Sequence, residues 1–211
     1  MAVIRRPLTP AEINSSLRAL IGELVSEGKP LLVDVVPVNN ASANDCFLHV
    51  PERVALEGGE QVLGWSLWEL PGVFVEAEAH SVWCRPNGKF LDVAPKNSKT
   101  ARVFFLPDPL LRYEGRQINN VRRAVVHDAY VQAYLDTFTD EFDLMNRGDR
   151  AGQFGEIALS GEEVAEYQNI QEQRARAFFG LLPRLPQAGP YLPCPCGSGK
   201  KMKWCHKVGE E

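Results

Sequence analysis

The sequence predicts an α+β fold: an antiparallel sheet with packed helices, two C-terminal helices, and then a small cysteine-rich knuckle. Three observations carry this expectation. Short β-branched and aromatic segments between residues 31 and 106 are punctuated by proline and glycine turns. Helical spacing of apolar residues takes over from residue 120. Three of the five cysteines and one of the four histidines then crowd into residues 194–206.

At the N-terminus, Thr9-Pro10-Ala11-Glu12 reads as a capping box with proline at the first helical position, and Ile13, Leu17, Leu20, Ile21 and Leu24 continue an apolar stripe that Gly28 ends. Leu31 to Val38 reads as a strand and Asn39 to Asn44 as a polar loop. Ala43 to Ala55 has helical character, with Pro51 expected to kink it or divide it in two. Strands are expected over Gln61–Leu70, Val73–Cys84, Lys89–Val93 and Ala101–Leu106, and Pro86-Asn87-Gly88 is the strongest hairpin signal in the chain.

From Asn120 to Asn146 the positions Val121, Val125, Val131, Leu135, Phe138, Phe142 and Met145 predict one long helix stopped by Gly148. Ser160-Gly161-Glu162-Glu163 is a second capping box, opening a helix to about Leu182. Pro183, Pro186, Pro190 and Pro193 follow. The expected organisation is therefore an α+β body over residues 1–182, a proline-rich tether over 183–193, and a knuckle over 194–211.

The chain has 211 residues, 45% of them hydrophobic, enough for one well-buried domain with small appendages. Its net charge of −4 provides no global field for nucleic acid or an anionic membrane. Residues 1–10 lack an apolar signal core and no apolar run is long enough to span a bilayer, so a cytoplasmic protein without membrane insertion is expected. In that compartment Cys46 and Cys84 should remain thiols.

The tail carries the most specific chemistry. Cys194, Cys196, Cys205 and His206 form a closed set of thiolate and imidazole donors suited to one structural zinc ion. Gly197-Ser198-Gly199 supplies a pliable turn, and a turn or first helical turn lets the adjacent Cys205 and His206 converge. Three thiolates and a neutral imidazole around a divalent cation leave one negative charge, which Lys200, Lys201, Lys203 and Lys207 counterbalance. Gly197-Ser198-Gly199-Lys200 is not a phosphate loop, because Cys194 and Lys201 stand where that motif needs glycine and Ser or Thr.

The run Cys194-Pro-Cys196-Gly-Ser-Gly-Lys-Lys-Met-Lys-Trp-Cys205-His206 resembles the SEC-C motif, a zinc-binding tail of the bacterial preprotein-translocase motor and of many other bacterial proteins. That resemblance implies a bacterial protein docked through its knuckle onto a protein partner, a chaperone or the ribosome. It implies no catalysis by the tail itself.

The body offers a separate constellation. Cys46 falls at a loop-to-helix junction, where helix amides and dipole favour a thiolate. His80 can act as its base, and Asp92, on the strand after the hairpin, can orient the histidine. His80-Ser-Val-Trp83 and Leu91-Asp92-Val-Ala-Pro95 resemble the His and Asp segments of transglutaminase-like and papain-like thiol enzymes, whose fold packs a cysteine-bearing helix on an antiparallel sheet. By that resemblance the body is a cysteine hydrolase or acyltransferase acting on a protein or peptide, with Asn44 or a backbone amide near Cys46 stabilising the oxyanion.

Other readings use the same residues. Cys46, His80 and Asp92 could each be structural: a buried thiol, a satisfied interior histidine and a turn cap. The pairs Cys46/His49 and His80/Cys84 could hold a second metal. The whole chain could also be a non-catalytic adaptor that binds a protein partner or the ribosome through its knuckle, with tail lysines contacting RNA.

Overall fold

The computed structural model describes residues 3–38, 45–96, 100–153, 156–196 and 198–205. The first helix, α1, spans Ser15–Leu24, and its N-cap is Asn14, whose side chain accepts a hydrogen bond from the Leu17 amide. The Thr9 capping box is thus not used. Leu8 exchanges backbone hydrogen bonds with Glu69, and the Ala11 amide donates to the Cys196 carbonyl, so the chain stays non-helical until Asn14. Leu17 and Leu20 are fully buried, and burial on this scale contributes about 1.5–3 kcal/mol per side chain.

The strands follow as β1 (Leu31–Val35), β2 (Glu60–Leu70), β3 (Phe74–Cys84), β4 (Phe90–Asp92), β5 (Arg102–Pro107) and β6 (Val121–Ala124). Helix α2 (Cys46–Glu57) precedes β2 and runs through Pro51 as one element. The sheet does not stay open. In the order β2-β5-β1-β4-β3 it closes through β2–β3 pairing into a five-stranded barrel, and β6 adds to β3. The expectation of a purely antiparallel sheet is also corrected, because β1 and β4 pair in parallel. The predicted hairpin does join β3 to β4: the Arg85 amide donates to the Lys89 carbonyl, and Gly88 takes the positive φ of 78° that the tight turn requires.

A cluster drawn from all five barrel strands, with Val33, Val82, Val103 and Phe105 at its centre, fills the interior. On the outside, α1 covers Leu67, Val75, Ala77 and Ala79, while Val50 and Val54 of α2 pack with Trp83, Leu91 and Val93. Successive residues of β3 therefore alternate between the helix-covered surface and the barrel side, and Glu76, Glu78, His80 and Val82 share one face. Gly64 pairs with His80 across β2–β3; a Cβ there would lie 2.1 Å from the Leu106 carbonyl oxygen, so this crossing admits only glycine.

The single helix expected over 120–146 is two elements. Val121–Ala124 pairs as β6 with the N-terminal half of β3, and α3 begins only at Ala129. Asp128 marks that start by accepting hydrogen bonds from the Tyr130 and Val131 amides. Helix α4 (Gly161–Leu181) carries the predicted Ser160–Glu163 capping box and packs on α3, where Arg174 bonds Thr137 and pairs with Glu141 at 2.6 Å. After α4, the Pro186 carbonyl accepts from the Ile4 amide, and Leu185 is buried beside Ile4 and Leu8. The last helix, α5, is the short Met202–Cys205. No helix among the described residues is long and apolar enough to cross a membrane.

Candidate active site and metal centre

His80 sits where β3 changes partners. On one side β3 pairs continuously with β2; on the other, pairing with β6 ends at Ala77 and pairing with β4 begins at Trp83. In the interval, the Asn120 side chain accepts from the Ala79 amide and donates to Glu76, substituting for a strand partner. This break opens the barrel wall beside the imidazole.

The His80 ring meets Asp92 through Nε2, 3.0 Å from Oδ2, and both side chains are shut off from solvent. A third group was not anticipated from sequence. Lys96 places Nζ 2.6 Å from the same Asp92 oxygen and 3.1 Å from His80 Nε2, and its side chain is only 7% exposed. Burial works against a charged His80, but the Asp92 carboxylate, opposed by Lys96 and helped by Cys46, carries the balance and lifts the imidazole to about 10. Burial likewise opposes a charged Asp92, yet His80 and Lys96 hold its carboxyl down at about 2.

Cys46 is the first residue of α2 and is buried. Its carbonyl accepts a hydrogen bond from Ser81 Oγ at 2.9 Å, which ties the start of the helix to the strand position next to His80. Cys46, His80 and Lys96 line one cavity of about 890 Å³. Among the described residues, no hydrogen bond joins the Cys46 thiol to the His80 ring, although both line the cavity. Phe47 stacks on Tyr113 at 4.1 Å between ring centres, forming an aromatic wall beside the thiol. Further along, Glu76 pairs with Arg122 at 2.7 Å, and Glu78 accepts from the Trp68 indole at 2.7 Å.

The cavity therefore joins a cysteine at a helix N-terminus to a buried histidine–carboxylate pair. Such an arrangement can generate a thiolate and hold an imidazolium ready to return a proton. Asn44, the expected oxyanion donor, lies outside the described residues. Among those residues the two pairs considered for a second metal do not gather into a ligand group: His49 faces Glu52 and Cys84 faces the Arg85 carbonyl.

In the tail, the sulfurs of Cys194, Cys196 and Cys205 lie within 4.8 Å of one another, with Cys196 and Cys205 at 3.5 Å. A tetrahedral ion with metal–sulfur bonds of about 2.3 Å requires sulfurs roughly 3.8 Å apart, so the donor set fits zinc in kind and spacing. Burial pushes the Cys194 thiol up to about 12, a penalty that a bound cation offsets by holding it as thiolate. His206, the expected fourth ligand, lies outside the described residues. Backbone bonds from Cys194 to Lys200 and from Met202 to Leu192 close the knuckle, and the buried Met202, Cys194 and Cys196 join the core beneath α3 and α4. Trp204 and Tyr191 remain largely exposed, with Lys201 over both rings.

No protein-family model matches the chain, and no solved structure matches it. It is similar to the protein translocase subunit SecA of Ralstonia nicotianae, 28% identical over 109 residues. The alignment covers 44% of this chain but only 12% of that protein. The C-terminal cysteine cluster fits a SEC-C zinc motif. The body is a mixed α+β fold with helices packed on a five-stranded barrel.

Proposed function

We propose that the body is a thiol-dependent hydrolase or acyltransferase acting on a protein or peptide, and that the zinc knuckle docks it to a protein partner. The observation that carries this reading is the shared cavity, lined by Cys46 of α2 and by His80 of β3, whose ring is bonded to the buried Asp92 of β4. A thiol, an imidazole and a carboxylate from three elements satisfy the division of roles that nucleophilic catalysis needs.

In this mechanism the Cys46 sulfur attacks a carbonyl carbon as thiolate, and the carbonyl electron pair moves onto oxygen. The oxyanion would be met by the Cys46 and Phe47 amides at the N-terminus of α2, since the Leu48 and His49 amides donate to the Asp45 carbonyl. Collapse of the tetrahedral intermediate breaks the bond to the leaving group, which takes a proton from His80. The product is a thioester on Cys46. Water or an acceptor amine then attacks, His80 takes its proton, and the thiolate departs. Asp92 keeps the ring oriented and compensates the imidazolium throughout.

Acyl transfer from an activated ester tests this directly. Incubation with a p-nitrophenyl ester should add one acyl mass to the peptide containing Cys46, and Cys46→Ser should abolish that thioester. Acylation spread over several residues, or none at Cys46, would favour the adaptor reading.

A further inference from the structure

Asp92 Oδ2 is shared by two donors, with Lys96 Nζ at 2.6 Å and His80 Nε2 at 3.0 Å, while Lys96 Nζ stands 3.1 Å from that same ring nitrogen. These contacts impose conflicting demands. The His80–Asp92 contact is a hydrogen bond only when Nε2 carries a proton, whereas the Lys96–His80 contact is one only when Nε2 has a free lone pair. One nitrogen cannot satisfy both at once. The ammonium is thus placed against the very atom whose protonation orients the ring, in a site where little water screens it.

We propose that Lys96 is a positioning residue that governs proton release from His80 by competing with the ring for Asp92. An unshared buried carboxylate would hold an imidazolium tightly, and a tightly held proton is poorly given to a leaving group. Lys96 neutralises part of the Asp92 charge and repels the cationic ring, so the same histidine can both take and return a proton. Cys46 of α2, with Asp45 beside it, lines the same cavity, and Glu78 lies two residues away on the same strand face. Arg6, Tyr113, Glu141 and the Glu76–Arg122 pair line the cavity beyond. Gly64 of β2 and Phe105 of β5 bring no charge.

This proposal rests on His80 being the acid–base group of the proposed reaction, but its test does not require turnover. The full chain, labelled with 15N-histidine, contains four histidines, and His80→Gln identifies the resonance of interest. Lys96→Gln retains an amide donor for Asp92 while removing the charge; Lys96→Met removes both and serves as the second variant. In each folded variant the His80 titration midpoint should rise by about one pH unit or more, because a neighbouring cation has been removed. Lys96→Arg should return it toward the wild-type value. A midpoint that is unchanged or lower in Lys96→Gln and Lys96→Met would overturn the proposal, and a change in thermal stability without a change in midpoint counts against it. The enzyme reading fails separately: Cys46 alkylation that ignores His80 would sink that reading while leaving a shifted midpoint intact.

Discussion

His80 and Asp92 are joined at 3.0 Å in a region where neither side chain reaches solvent, although they come from strands on opposite sides of a hairpin. Within a barrel otherwise filled by Val33, Val82, Val103 and Phe105, such a polar pair persists only if its partners are satisfied. Removing the carboxylate charge would leave His80 and Lys96 side by side with nothing to separate them. Asp92→Asn is therefore expected to lower unfolding stability by about 3–5 kcal/mol, the usual cost of breaking a buried ion pair from one side. Urea denaturation at neutral pH checks this, and a loss within experimental scatter would show that the pair is dispensable.

The same pair sets a pH window for stability. The folded-state value of His80 is raised from 6.5 to about 10, so its contribution is fully present below 6.5 and is lost as pH rises through about 10. Asp92 is depressed from 3.8 to about 2, so its contribution is present above 3.8 and is lost as pH falls through about 2. Thermal unfolding against pH should show a maximum between these limits, and His80→Gln should flatten the alkaline limb. An alkaline limb unaffected by that substitution would assign it to other groups.

Ser81 anchors the start of α2 rather than touching the cavity. Its hydroxyl donates to the Cys46 carbonyl at 2.9 Å, so Ser81→Ala leaves a buried carbonyl with one bond fewer. The expected cost is about 1 kcal/mol, together with slower reaction of Cys46 as the start of α2 loosens. Hydrogen exchange at the first turn of α2 reports the loosening, and unchanged protection there would mean that packing alone holds the helix.

One zinc ion per chain is expected in the tail. Chelation or Cys196→Ser should release it and alter the fluorescence of the exposed Trp204, while the reactivity of Cys46 in the separate cavity persists. Elemental analysis showing two zinc ions per chain would instead revive a second site in the body.

Several of these features were legible in the sequence because they depend on local chemistry. Pro86-Asn87-Gly88 makes a tight turn wherever it stands, and it correctly brought the strands of His80 and Asp92 together. Ser160–Glu163 capped α4, and the crowding of cysteines marked the knuckle. What could not be read there depends on distant partners. Val121 and Val125 match helical spacing as well as an edge strand, and only pairing with β3 decides between them. The Thr9 cap lost to long-range backbone bonds beside it, between Leu8 and Glu69 and between Ala11 and Cys196. Barrel closure and the parallel β1–β4 pair are equally non-local. Lys96 was missed because a lysine beside proline in a loop ordinarily lies in water; its spacing of four residues from Asp92 was the single available hint.

If His80 activates Cys46, the rate of Cys46 alkylation by iodoacetamide at neutral pH depends on the imidazole, and Cys84 in the same chain serves as internal reference. Peptide mapping over time should show Cys46 modified well before Cys84, and His80→Ala should slow Cys46 by about two orders of magnitude without changing Cys84. Equal, slow modification of both cysteines, indifferent to His80→Ala, would show that His80 does not activate Cys46.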